Sequence, residues 1–183
     1  MSYDPKTYWE TRENPNAPNQ LTAPQFIYDY VRPRLALARN VLEVGPGLGR
    51  TLDLYTPEME LKTIDLSTNY RDMVSKRAKD FGLSLSQCFL ELPEDQFPFD
   101  DREFDIGVSI QVLMHVPPET VEITIGEICR TCERAVLIAT VSLPENRKAA
   151  HVFEHDFISL IQKAGREVIH SEIHGHTGCF TMG

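Results

Sequence analysis

The sequence has few cysteines, only four in 183 residues. So small a number does not suggest a disulfide framework, and it fits a reducing compartment. Long apolar runs are also missing. The longest, "AVLIATV", is far too short to span a bilayer. The amino terminus, "MSYDPKTYWETRENPN", lacks a basic start followed by an apolar segment, so it does not read as a signal peptide. A cytoplasmic protein with no membrane association is therefore expected. Positive charge is in deficit: 18 Lys and Arg stand against 27 Asp and Glu, a formal charge of −9. An acidic chain is a poor general binder of phosphate backbones, which argues against non-specific nucleic-acid binding. Repeats and low-complexity blocks are absent too.

What is present is an ordinary globular composition, with 42% apolar and 25% charged residues. The length suits one domain with a sizeable core. Residues 1–20 are polar and proline-spaced, a loose arm with one short helix around Pro5–Arg12. A second helical pattern follows in "TAPQFIYDYVRPRLA". From residue 39 to 183, strand and helix signals alternate. "NVLEVG", "LKTIDLS", "LSQCFLE", "FDIGVSI" and "RAVLIATVS" read as strands. Helices are expected to start in "LGRTLDLYT" and to run through "NYRDMVSKRAKDFG", "PPETVEITIGEICRTC" and "EHDFISLIQKAG". Such alternation predicts an α/β fold with a mostly parallel sheet covered on both faces. The tail differs: "REVIHSEIH" and "CFTM" are separated only by "GHTG", which is hairpin spacing and predicts an antiparallel last strand.

The first strand ends in "VLEVGPGLGR", where Glu43 precedes Gly45, Gly47 and Gly49. In doubly wound sheets ligands bind at this carboxyl edge. A Walker-type phosphate loop needs Gly-Lys-Ser/Thr, and the lysine is missing. The dinucleotide fingerprint asks for glycine at its sixth position, where this chain has Arg50. That substitution weighs against a nicotinamide-dependent oxidoreductase. Asp65 ends the second strand twenty residues after Gly45, where a carboxylate can accept hydrogen bonds from both hydroxyls of a ribose.

"LEVGPGLG", "IDLS" and "FPFDDREFDIGVSIQVLMHV", in that order, resemble the class I S-adenosylmethionine-dependent methyltransferases of the small type-11 kind, over about residues 38–183. The resemblance implies a seven-stranded sheet of order 3-2-1-4-5-7-6, with S-adenosyl-L-methionine as cofactor. It implies Glu43 near the methionine end with Gly45 and Gly47 beneath it, Asp65 on the ribose and Leu66 against the adenine. An acidic residue after the third strand should meet the adenine amino group. "FLELPEDQF" offers Glu91, Glu94 and Asp95, and Glu91 is preferred because it comes straight off the strand. Gln111 falls at the end of strand four, beside the methyl-donor pocket. The acceptor is expected to be a small molecule, its site built from the arm, the loops after strands four and five, or a second copy in a homodimer. A non-catalytic subunit of the same fold would tend to lose the glycines or Asp65, and this chain has kept them.

His115, in "VLMHV", follows strand four at the open end of the sheet, where a neutral imidazole could take a proton from an acceptor. A structural histidine is the competing reading. Tyr8 and the sole tryptophan, Trp9, sit on the polar arm, as a lid over the donor or as an anchor. "HVFEH" matches a zinc-protease string but reads as the approach to the last helix. "HSEIHGH" would place His170, Glu172, His174 and His176 on one strand face, read as solvated. "CRTC" lacks a second pair and reads as a helix end. No metal is expected.

Overall fold

A computed structural model describes residues 3–12, 22–92, 94–142 and 149–183. Part of the predicted arm, residues 13–20, lies outside them. The helices are α1 (Pro5–Thr11), α2 (Gln25–Leu35), α3 (Arg71–Asp80), α4 (Val121–Thr131) and α5 (Phe157–Lys163). The strands are β1 (Asn40–Val44), β2 (Glu60–Asp65), β3 (Ser84–Phe89), β4 (Phe104–Ile110), β5 (Cys132–Thr140), β6 (Val168–His174) and β7 (Thr177–Met182). They form one sheet of order β3-β2-β1-β4-β5-β7-β6. The first five run parallel, and β7 is antiparallel to both β5 and β6. No helix among the described residues is long and apolar enough to cross a membrane.

The strand pleat divides the core in two. Val41, Ile106, Val108, Val136 and Ile138 face α2 and α3, meeting Tyr28, Val31, Leu35 and Val74. Leu42, Phe104, Ala135 and Leu137 face α4 and α5, meeting Ile125, Ile128, Phe157 and Ile161. Successive side chains thus enter opposite layers, which is why these strands read as unbroken apolar runs. The edge strand β6 is mostly exposed. α1 is capped by Asp4, whose Oδ1 accepts from the Thr7 N–H at 2.7 Å, with proline at the start of the helix.

One expected helix is missing. "LGRTLDLYT" forms a run of turns and a single 3-10 turn, Leu52–Leu54. Gly49 at φ +70° interrupts a right-handed helix, and Pro57 closes the segment soon after. Leu52, Leu54 and Tyr55 still reach the core, because α2 covers the layer that a helix here would have filled.

Candidate active site

A cavity of about 530 Å³ opens at the carboxyl ends of β1, β2 and β4. That volume suits a small-molecule ligand. Its floor is the β1 end with the glycine loop, and its roof is α1.

The floor holds two acids, one buried and one partly buried. Glu43, only 2% exposed, accepts a hydrogen bond at Oε1 from the Thr51 hydroxyl at 2.5 Å. Its Oε2 has no hydrogen-bond partner. The Tyr55 hydroxyl faces the carboxyl without completing a bond, and it too is left unpaired. Burial pushes the Glu43 carboxyl up to about 7; Thr51 and Tyr55 oppose the rise, and the Asp65 charge adds to it. Asp65 accepts from the Ser67 N–H at Oδ1 (3.0 Å) and the Gly47 N–H at Oδ2 (3.4 Å). Burial raises its pKa as well, against the pull of those backbone donors. Each oxygen keeps a lone pair for a further donor.

The glycines do different work. A Cβ on Gly45 would lie 2.5 Å from Val112 Cγ2, so the loop can pass there only without one. Gly47, at φ +51°, meets nothing and leaves its stretch of backbone open to the cavity. Gly49 is turned away from the cavity, where the carbonyl accepts from Arg77 Nε at 2.9 Å. Leu66, Leu90 and Gln111 line the cavity. Gln111 has φ +59°, uncommon for a side-chain-bearing residue. Its backbone N–H donates to the Ile138 carbonyl, and its amide is held between Thr140 and Thr177.

Glu91 is not brought to the cavity. Its side chain is 90% exposed, 4.0 Å from Lys6. The Asp95 carboxylate accepts from the N–H groups of both Glu91 and Leu92, and this turn carries the chain outward right after Leu90.

The roof is tied down on three sides. Lys6 donates to the Leu90 carbonyl, and Glu10 accepts from the backbone and hydroxyl of Thr68. Asn69 donates to the carbonyls of Trp9 and Arg12, and the Tyr3 hydroxyl to that of His115. Pro5, Trp9 and Arg12 thereby line the cavity. Trp9 meets the His115 ring edge-on at 4.9 Å. His151 stacks on His115 at 5.2 Å and on Tyr8 at 4.7 Å. His115 Nδ1 lies 2.8 Å from the His151 carbonyl. A carbonyl only accepts, so Nδ1 carries the proton and Nε2 keeps its lone pair. Burial pushes the His115 pKa down to about 4.

The sequence reading missed His151 and Arg12 as cavity residues. The available signal was the unusual aromatic content of a polar arm. In "HVFEH", residues 152–155 form no helix, and the His155 ring meets the Val116 carbonyl at 3.0 Å. In "HSEIHGH", His170 and His174 both pair with Glu172, and their rings pack on Tyr30 and Phe26. His176 lies instead in the turn, beside Ser142. Among the described residues no group of three His, Cys, Asp or Glu is arranged to hold a metal ion. Cys129 and Cys132 are buried free thiols, their pKa values raised by burial to about 11 and about 12.

A family model described as a methyltransferase domain matches residues 42–139. Phosphatidylethanolamine N-methyltransferase of Cereibacter sphaeroides is 28% identical over 99 residues, which are 54% of this chain and 49% of that protein. The match thus spans about half the length of that curated relative. Two solved structures share the fold. A SAM-dependent methyltransferase from Aquifex aeolicus has a TM-score of 0.69 at 15% identity, covering 99% of this chain and 98% of that one. Magnesium protoporphyrin IX methyltransferase from Synechocystis, solved with bound SAH, has a TM-score of 0.70 at 14% identity, covering 86% and 82%.

Proposed function

This chain belongs to the methyltransferase-domain family, and on that premise we propose that it transfers a methyl group from S-adenosylmethionine to a small-molecule acceptor. One observation carries the reading. Glu43, buried, and Asp65, partly buried, line the same cavity beneath backbone left open at Gly47, and neither carboxylate has an ion-pair partner among the described residues. Such a floor suits a ligand carrying positive charge at one end and ribose hydroxyls at the other.

When bound, S-adenosylmethionine supplies a methyl group on a sulfonium, and the positive charge disappears as the methyl moves to the acceptor. Asp65 accepts from the ribose hydroxyls, and Leu66 and Leu90 flank the adenine. Glu43, Gly45 and Gly47 hold the methionine end. Gln111, fixed by Thr140 and Thr177, sits at the β4 side of the donor. α1 acts as a lid: Trp9 and Pro5 close the cavity against water, so that acceptor and methyl are held in line in a dry space. His115 presents its unprotonated Nε2 and takes the proton that the acceptor loses.

Calorimetry with S-adenosylmethionine, S-adenosylhomocysteine and NAD tests the assignment. Micromolar binding of the first two and none of NAD is expected. Tight NAD binding without either sulfur ligand would sink it.

A further inference from the structure

The sheet ends in two edges of unlike character. β3 is half-covered, and its Gln87 side chain is tied to α3, donating to the Arg71 carbonyl and the Ser75 hydroxyl. At the other edge, residues 169–174 of β6 are all exposed, and no strand among the described residues lies beyond them. An uncovered edge presents free N–H and C=O groups to any strand that can match it. β6 carries neither proline nor lysine, the residues that most often guard such an edge. The hairpin sets which groups are free. Its two-residue turn, Gly175-His176, makes His174 and Thr177 a hydrogen-bonded pair, and by alternation Glu172 also bonds toward β7. Ser171 and Ile173 are left with their N–H and C=O groups pointing outward.

We propose that β6 pairs antiparallel with β6 of a second copy of this chain, about a two-fold axis at Ser171, joining the two sheets into one. In that register the strand Val168–His174 meets its counterpart along its whole length. Charge order selects it. His170 falls opposite the partner's Glu172, and Glu172 opposite the partner's His170, so the seam gains two histidine–carboxylate pairs. Moving the axis one residue to Glu172 would set the two carboxylates against each other and His170 against the partner's His174. Apolar order agrees with the Ser171 axis. Ile169 falls opposite the partner's Ile173 at each end, and in one chain these residues are 60% and 59% exposed. Charged side chains on an edge commonly prevent pairing, but the order His-Ser-Glu is its own complement when reversed. The bulge between Val168 and His170 lies outside the central pairs. No residue of β6 or β7 lines the cavity, so the pairing leaves the candidate active site of each copy clear.

Sedimentation velocity of the full chain over a range of protein concentrations reads the association, and a reversible dimer is expected. Ser171→Pro removes an N–H that β7 does not use, a change an edge strand tolerates. It should leave a monomer whose circular dichroism is that of the folded chain. His170→Glu opposes two carboxylates twice in each dimer and should weaken association by about tenfold. Adding Glu172→His to His170→Glu exchanges the two partners and should restore the dimer. If Ser171→Pro fails to fold, this exchange carries the test. A monomer at every concentration, a dimer indifferent to Ser171→Pro, or a doubly exchanged chain that associates no better than His170→Glu would each overturn the proposal.

Discussion

The floor and the roof of the cavity bury ionisable groups of opposite kinds, and burial keeps both neutral. Glu43 in the floor has its pKa raised from 4.5 to about 7, while His115, covered by the roof, has its pKa lowered from 6.5 to about 4. Desolvation leads in each case, but the surroundings differ. Glu43 sits in the sheet with an unpaired oxygen, whereas His115 lies under the short helix α1, with Nδ1 already bonded and aromatic rings against it. The floor therefore lacks a partner that a cation can supply. His115 already has its tautomer set and offers a lone pair.

The largest expected effect comes from breaking the floor at its other acid. Asp65→Ala removes a charged acceptor from two ribose hydroxyls, bonds worth about 1.5–3 kcal/mol each. Donor affinity should drop about a hundredfold, read by calorimetry. Unchanged affinity would place the ribose elsewhere.

The two pKa shifts act on stability with opposite signs. Between pH 4.5 and about 7 the folded chain holds a proton on Glu43 that the unfolded chain has lost, so this contribution falls as pH rises. Between pH 6.5 and about 4 the unfolded chain binds a proton that buried His115 refuses, so that contribution is lost as pH falls. Each shift corresponds to about 3 kcal/mol at full extent, and from pH 4.5 to 6.5 they oppose one another. In urea melts without ligand, Glu43→Gln should uncover a stability that rises steeply over this window. His115→Gln should uncover one that declines from pH 4.5 toward 7. If both variants follow the wild-type curve, neither group is held neutral by the fold.

The smallest effect concerns the roof as a lid. Removing residues 1–20 takes away the Trp9 contact with His115 and the ties to Thr68 and Leu90. Aromatic contacts of this kind contribute about 0.5–1.5 kcal/mol, so cofactor affinity should weaken by several-fold while the core stays folded. Trp9, the sole tryptophan, should shift its emission when S-adenosylhomocysteine is added to the full chain. Constant emission together with undiminished binding by the shortened chain would remove the lid from the account.

Local pattern alone determined a good deal. An apolar run ending in Glu43-Val-Gly marked β1 and its loop, because buried parallel strands are apolar on both faces and sharp turns need glycine. Asp65 was legible as the acid at the end of β2, and the hairpin spacing of the tail announced the antiparallel β7. The sheet order came through the family resemblance, since strand spacing says nothing about which neighbours pair. Other features depend on where distant segments return. Residues 48–56 carry apolar positions that a helix could use, but α2 occupies that layer, and the segment forms turns and a single 3-10 turn. Glu91 and Leu90 are adjacent acidic and apolar residues after β3, and only the turn held by Asp95 decides that Leu90 faces the cavity and Glu91 the solvent. His151 was hidden inside a metal-like string because its partners, Tyr8 and His115, lie 143 and 36 residues away in the chain. Periodicity reports which face of an element is buried; it carries no information about which remote side chain, or which missing cation, will meet that face.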